Sequence, residues 1–444
     1  IRLKMLGLIK IAKGSQRSLT SAARQSFSQA RSLNSNYSKF LIVGAGNAGV
    51  TVASNLLSLT KTTPYDIRVV DPNTTVVYEP GIDLVAAQLQ TPEEIKASIY
   101  ETLNSNIKIH NGRVTEFKPE SNLAVVNDRV FEYDYLILAT GVVPAFDKIK
   151  GLEDALSDPE SGVVSTYNLD YAERTKAAFE NFVRGNAIFY NSAFESRNFQ
   201  SAINLALLFE SDIRQNRGNS IRDISTLEYV SPFGTFLPLA KNSLELRKIF
   251  EGRGISTDFG LTLTGIDKKK KNAVFVNNAN NKKVTKKYDL LYVSPPTKLD
   301  PSVSGCKELT NKDGNLDINP RTLTHNKYKN VFAVGHCTKT PEIYSQKALL
   351  QQCLTVSGNV SLREKGKQDK QVTYEGESEL VIFSGKNQCL SIDITDPSLE
   401  GVNDPSAVEY YNQVHLGHHK FFKLQIKGHW FGSTWFRKPN FEAQ

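Results

Sequence analysis

Two hydrophobic periods alternate along the chain. Phe40-Leu-Ile-Val43 is a short apolar run leading into Gly44-Ala-Gly-Asn-Ala-Gly49 and then a stretch of small and apolar residues. An unbroken apolar run bounded by glycine suits a strand buried on both faces; the small residues behind it suit a helix lying close to a sheet. Ile67-Arg-Val-Val-Asp71 is a second such run, and Val130-Phe-Glu-Tyr-Asp-Tyr-Leu-Ile-Leu-Ala-Thr-Gly141 a third. The pattern returns between residues 151 and 295. It predicts a strand at Asn186–Tyr190, a helix near Gln200–Ser211, a strand at Ser225–Val230, a helix over 240–252 and a strand pair flanking the turn at Lys268–Asn272. Residues 280–288 are polar and basic and read as a solvated hairpin tip. Phe332-Ala-Val-Gly-His-Cys337 is one more strand, followed by a helical pattern from about 342 to 360. Strands alternating with helices predict parallel sheets covered on both faces, an α/β chain with two Rossmann-like domains.

The first unit carries chemistry. Gly44, Gly46 and Gly49 form a G-x-G-x-x-G turn with a strand before it and a helix after it. Such a turn lets backbone approach a pyrophosphate and aims a helix N-terminus at it. Asp71 ends the next strand, 22 residues past the third glycine (71 − 49), where an acid takes ribose hydroxyls. The second unit has no such fingerprint: Gly185-Asn-Ala-Ile-Phe-Tyr-Asn-Ser-Ala offers no cradle for a nicotinamide nucleotide.

Charge is unevenly placed. The net charge is +8, yet residues 1–40 hold eight Lys or Arg and no acid, so the remainder balances at 46 basic (54 − 8) and 46 acidic residues. A neutral body excludes a nucleic-acid footprint. The basic, Ser-rich leader over 1–39 reads as a mitochondrial targeting segment, with translation starting at Met5, the one methionine. No run of about 20 apolar residues spans a membrane. Cys306, Cys337, Cys353 and Cys389 show no metal or disulfide spacing, and His415, His418 and His419 lack the acid or cysteine partners of a metal site. Residues 406–441 concentrate aromatics (Phe421, Phe422, Trp430, Phe431, Trp435 and Phe436) with cations such as Lys423, Lys427 and Arg437. That composition suits a membrane interface or a partner groove.

The glycine motif, Ala139-Thr140-Gly141, Asn330-Val-Phe-Ala-Val-Gly335, Tyr78-Glu-Pro-Gly81, Leu316-Asp-Ile-Asn-Pro-Arg-Thr-Leu323 and Gly428-His-Trp-Phe-Gly432 together resemble the sulfide:quinone oxidoreductases of mitochondrial type, from about residue 40 to the end. The resemblance implies two FAD/NAD(P)-type domains and a C-terminal amphipathic segment facing membrane or partner. On it, residues 40–150 and 296–365 form the FAD-binding domain, 151–295 a second Rossmann-like domain, and 366–444 a C-terminal interface region. It implies FAD held by Gly44, Gly46, Gly49, Asp71, Thr140, Gly141 and Gly335. It also implies ubiquinone as electron acceptor in an active enzyme, and residence on the matrix face of the inner membrane.

The same resemblance exposes departures. Ser196 and Leu380 occupy the positions expected for the redox cysteines, so no catalytic residue is assigned. His336 stands where an acid normally follows Gly335, and Tyr344 where a lysine is expected near the flavin. Sulfide oxidation needs a thiolate, and serine without an adjacent base is a far weaker nucleophile. Cys337, beside Gly335, is the one thiol placed to approach a flavin. These losses favour a catalytically impaired protein, with FAD weakened or lost, kept as a structural or accessory subunit of a respiratory inner-membrane complex. Its contacts would run through residues 406–441. The alternatives are an active FAD-dependent sulfide:quinone oxidoreductase and a flavoprotein with changed chemistry.

Overall fold

The computed structural model describes residues 36–60, 66–193, 197, 199–237, 240–340, 345–385 and 388–395. The leader, the aromatic tail at 406–441, Ser196, Tyr344 and the three tail histidines lie outside the described residues.

Tyr37–Val43 sits inside a seven-stranded sheet. Ile67–Asp71 and then Lys108–Asn111 continue in parallel on one side, and Arg129–Leu138 pairs in parallel on the other. The ten-residue strand Arg129–Leu138 serves two further neighbours. Its first half carries the antiparallel strands Leu123–Val126 and, beyond, Val114–Lys118; its last three residues pair in parallel with Val331–Ala333. Phe40, Leu41 and Ile42 are fully buried, as an apolar run covered on both faces requires. The helix Asn47–Leu59 packs on one face, and the long helix Gln346–Glu364 packs on it in turn. Ser361 Oγ donates to the Leu59 carbonyl at 3.1 Å, while Lys39 Nζ meets Glu364 Oε1 at 2.6 Å.

The second sheet is wholly parallel, in the order Val163–Val164, Leu290–Ser294, Gly185–Asn191, Ser225–Ser231, Ile255–Phe259. Helices Ser201–Asp212 and Ala240–Gly252 fall where the periodicity placed them. An antiparallel meander follows, Leu261–Asp267, Asn272–Asn277 and Lys283–Lys287. Residues 283–287 thus form an edge strand, correcting the hairpin tip expected over 280–288. The β-branched Val284 and Thr285 favour pairing, and the flanking lysines protect the open edge from further association. The two sheets are linked by the short antiparallel pair Val142–Pro144 and Thr297–Leu299. A hairpin, Glu377–Gly385 with Gln388–Thr395, packs on helices Ser201–Asp212 and Gln346–Glu364. One hydrophobic cluster runs from Phe40 and Ile42 through Phe189 and Tyr229 to Leu380 and Ile382, so hairpin and both sheets share a core. Among the described residues no helix is long and apolar enough to cross a membrane.

Candidate functional site

Three parallel strands of the first sheet end side by side. Val43 leads into Gly44, Leu138 into Ala139 and Ala333 into Val334. The junctions are stitched by Gly44 N to Val70 O at 2.8 Å, Ala139 N to Val43 O at 2.8 Å and Val334 N to Leu138 O at 2.9 Å. Ligands of open α/β sheets bind at such carboxyl ends. A crevice of about 900 Å³ opens there. It gathers Gly44, Gly46, Asp71, Thr140, Gly141 and Gly335, residues spread over almost 300 positions of sequence (335 − 44 = 291).

Each glycine has a separate physical reason. Gly44 has φ +105°, and a Cβ there would lie 2.2 Å from the Ala139 carbonyl oxygen. Gly49 does not line the crevice: a Cβ on it would lie 1.8 Å from the Gly44 oxygen, so it serves the close approach of helix to strand. A Cβ on Gly46 would meet nothing within 4 Å, leaving its face open to the crevice. Asp71 Oδ2 accepts from Ala45 N at 2.7 Å, and its Oδ1 accepts from Asn73 N at 2.7 Å. Oδ1 also accepts from Asn73 Nδ2 at 3.1 Å, so Oδ2 is the oxygen that keeps a lone pair for a ribose hydroxyl. Asn47, the first residue of the helix, is 6 % exposed, and its Oδ1 has no hydrogen-bond partner among the described residues. Gly335, at φ +86°, donates its N–H to Gln352 Oε1 at 2.9 Å. For FAD, the cofactor that the resemblance implies, the residues from Gly44 to Asp71 fit the adenosine diphosphate half: open backbone, a helix N-terminus and a ribose acceptor.

A second crevice of about 880 Å³ adjoins the first. The two share Asn47, Glu79, Arg197, His336 and Leu349. At this junction Arg197 Nη2 meets Glu79 Oε1 at 2.7 Å, and the guanidinium lies 5.0 Å from the centre of the Tyr167 ring. Burial works against the Arg197 charge, but Glu79 and Tyr167 more than offset it and its pKa rises. His336 is pushed down to about 4, by burial first, with Glu79 opposing and Arg197 assisting. Its imidazole is neutral at physiological pH, in the place where the resemblance expects an acid.

Asp83 forms the floor of the second crevice. It lies in the short helix Ile82–Ala86, accepts from Thr166 Oγ1 at 2.9 Å and from Asn204 Nδ2 at 3.3 Å. Burial raises its pKa, with hydrogen bonds from Ser201, Thr166 and Asn204 acting the other way. Thr166 also bonds Tyr292, and Asn204 Oδ1 accepts from Phe383 N at 3.1 Å. The network therefore ties the helix Ile82–Ala86, the second sheet and the hairpin to one carboxyl group.

No cysteine lines either crevice among the described residues. Leu380 is fully buried on its strand, in the shared core. The structure corrects the expected placement of Cys337: it does not face the crevice. Its Sγ points to the carbonyls of Leu138 and Val334, at 3.4 and 3.3 Å, and burial pushes the thiol up to about 11. Among the described residues no cluster of three or more His, Cys, Asp or Glu could hold a metal. Sequence reasoning missed Arg197, Asn47 and Asp83. The last carried a signal, a lone carboxylate in the apolar run Ile82-Asp-Leu-Val-Ala86; Arg197 carried none, since its partner is 118 residues away (197 − 79).

Residues 38–179 match the family model described as pyridine nucleotide-disulphide oxidoreductase. The chain is 27% identical to the mitochondrial sulfide:quinone oxidoreductase of Dictyostelium discoideum over 413 residues, 91% of this chain and 89% of that protein. It is 25% identical to the mouse (Mus musculus) protein of the same name, again over 91% and 89%. Among solved structures, the sulfide:quinone oxidoreductase of Aquifex aeolicus superposes with TM-score 0.72 at 17% identity, covering 89% of this chain and 92% of that one. A chain of the Tetrahymena thermophila mitochondrial ATP synthase superposes with TM-score 0.71 at 21% identity, covering 97% and 100%. The chain is similar to the mitochondrial sulfide:quinone oxidoreductases over most of its length and has the two-dinucleotide-domain flavoprotein fold of the Aquifex aeolicus enzyme.

Proposed function

We propose that this protein has lost sulfide oxidation and serves as a structural subunit of a membrane-bound mitochondrial assembly, with the F1Fo ATP synthase as the first candidate. The observation that carries the reading is Leu380. An aliphatic side chain with no exposure fills the place where the resemblance calls for a redox thiol, and no described thiol replaces it at either crevice. Without a thiolate, sulfur has no acceptor on the protein. Likeness to a chain of the Tetrahymena thermophila ATP synthase supports the choice of assembly, because the match takes in the whole of that chain and nearly all of this one. The leader and the aromatic-basic tail fit a protein delivered to mitochondria and docked on the matrix face of the inner membrane. Any FAD would be held more weakly than in an active relative.

The test is native separation of solubilised mitochondrial membranes, followed by a sulfide-dependent quinone reduction assay on the isolated protein. Co-migration with the ATP synthase and no turnover are expected. Migration of the protein alone would overturn the structural role; turnover would restore the alternative of an active oxidoreductase.

A further inference from the structure

The two halves of the implied cofactor meet different treatment in this fold. The adenosine diphosphate end keeps open backbone at Gly46, an acceptor at Asp71 and a helix start of 13 residues. Asn47, 94 % buried (100 − 6), presents an Oδ1 with no partner among the described residues at that helix start. A buried polar atom left unsatisfied is costly, so such a group points to a ligand. At the other end Glu79, Arg197 and His336 line both crevices, so a ligand running from the first into the second meets them. Arg197 and Glu79 are clasped at 2.7 Å, and Tyr167 backs the guanidinium. A flat tricyclic ring placed there would separate that pair and leave each charge without its partner.

We propose that the crevice binds a ligand carrying an adenosine 5′-diphosphate group without an isoalloxazine ring, and that the Glu79–Arg197 pair is the gate that excludes the flavin. Asp71 takes the ribose hydroxyls, the backbone around Gly46 takes the pyrophosphate, and Asn47 closes the terminal end. This reaches beyond the structural role proposed above and stands without it, since the site is described by its own geometry. The class includes free ADP and ADP-ribose; both end at the clasp.

Calorimetric titration of the purified full chain with ADP, ADP-ribose and FAD tests it. ADP or ADP-ribose is expected to bind at least as tightly as FAD. Arg197→Ala opens the clasp and should raise FAD affinity about tenfold while leaving ADP affinity unchanged; Glu79→Gln, which keeps the side-chain volume, should act the same way if the alanine variant folds poorly. Gly46→Ala places a methyl in open space and should abolish the ADP-induced rise in melting temperature without lowering the melting temperature of the free protein. FAD binding more than tenfold tighter than ADP, ADP binding unaffected by Gly46→Ala, or no binding of any of the three probes would each overturn the proposal. None of these readings depends on whether the protein migrates with a membrane complex, so the two conclusions fail separately.

Discussion

Gly49 and Gly44 lie so close that a Cβ on Gly49 would stand 1.8 Å from the Gly44 carbonyl oxygen, while a Cβ on Gly46, between them, would touch nothing. The contrast separates packing from ligand contact within one motif. Gly49→Ala is expected to destabilise the fold by about 1–3 kcal/mol, because backbone must move to admit the methyl. Gly46→Ala should change stability little. Chemical denaturation of both variants checks this; equal losses would mean the motif acts as one packing unit.

His336 predicts an acid-sensitive fold. An unfolded histidine titrates near 6.5 and this one near 4. Between those values the unfolded chain binds a proton that the native protein refuses. Stability is therefore complete above pH 6.5 and declines as pH falls toward 4. The loss is on the order of 2–3 kcal/mol. His336→Gln, which cannot titrate, should flatten that part of the stability–pH curve. Parallel curves for the two proteins between pH 6.5 and 4 would show that the imidazole is more solvated than its surroundings suggest.

Asn204 joins the Asp83 carboxyl to the hairpin through two bonds of one amide. Asn204→Ala should cost about 1–3 kcal/mol by leaving the Phe383 N–H and a carboxyl oxygen short of partners. Amide exchange along Glu377–Gly385 should quicken more than exchange in the strand Tyr37–Val43. A uniform change across both strands would argue against a local tie.

Removal of residues 406–444 is expected to free the protein from membranes, or from its assembly, with both sheets still folded. Membrane fractionation and circular dichroism of the truncated chain read the two effects. Continued sedimentation with membranes would place the docking surface elsewhere.

Much of this architecture is legible because its signals are local. An apolar tetrad ending in glycine announces the strand before Gly44, and the same rule finds Asp71, Ala139 and Gly335 at strand exits that the fold then assembles. The Lys283–Lys287 strand escaped because its charge outweighed the alternation of Val284 with its neighbours. Cys337 misled for a conformational reason. The backbone at Gly335, with φ +86°, turns the next residues so that His336 faces the crevice and the thiol turns to the sheet. The Glu79–Arg197 clasp could not be read at all, since it joins a short turn to a loop and obeys no periodicity.

The strand Arg129–Leu138 takes its last neighbour, Val331–Ala333, from a point 193 residues further on (331 − 138). Everything in the second sheet lies between the two. As the chain emerges from the ribosome, the first sheet must wait with Leu136, Ile137 and Leu138 unpaired on one side, while the intervening unit already has all of its own strands. Contacts closed over such a span are slow to form. The segment 163–294 is thus expected to mature first, and the dinucleotide crevice, whose wall includes Val334 and Gly335, to be the last part of the molecule built. A ligand added during synthesis would find no site until that final strand arrives.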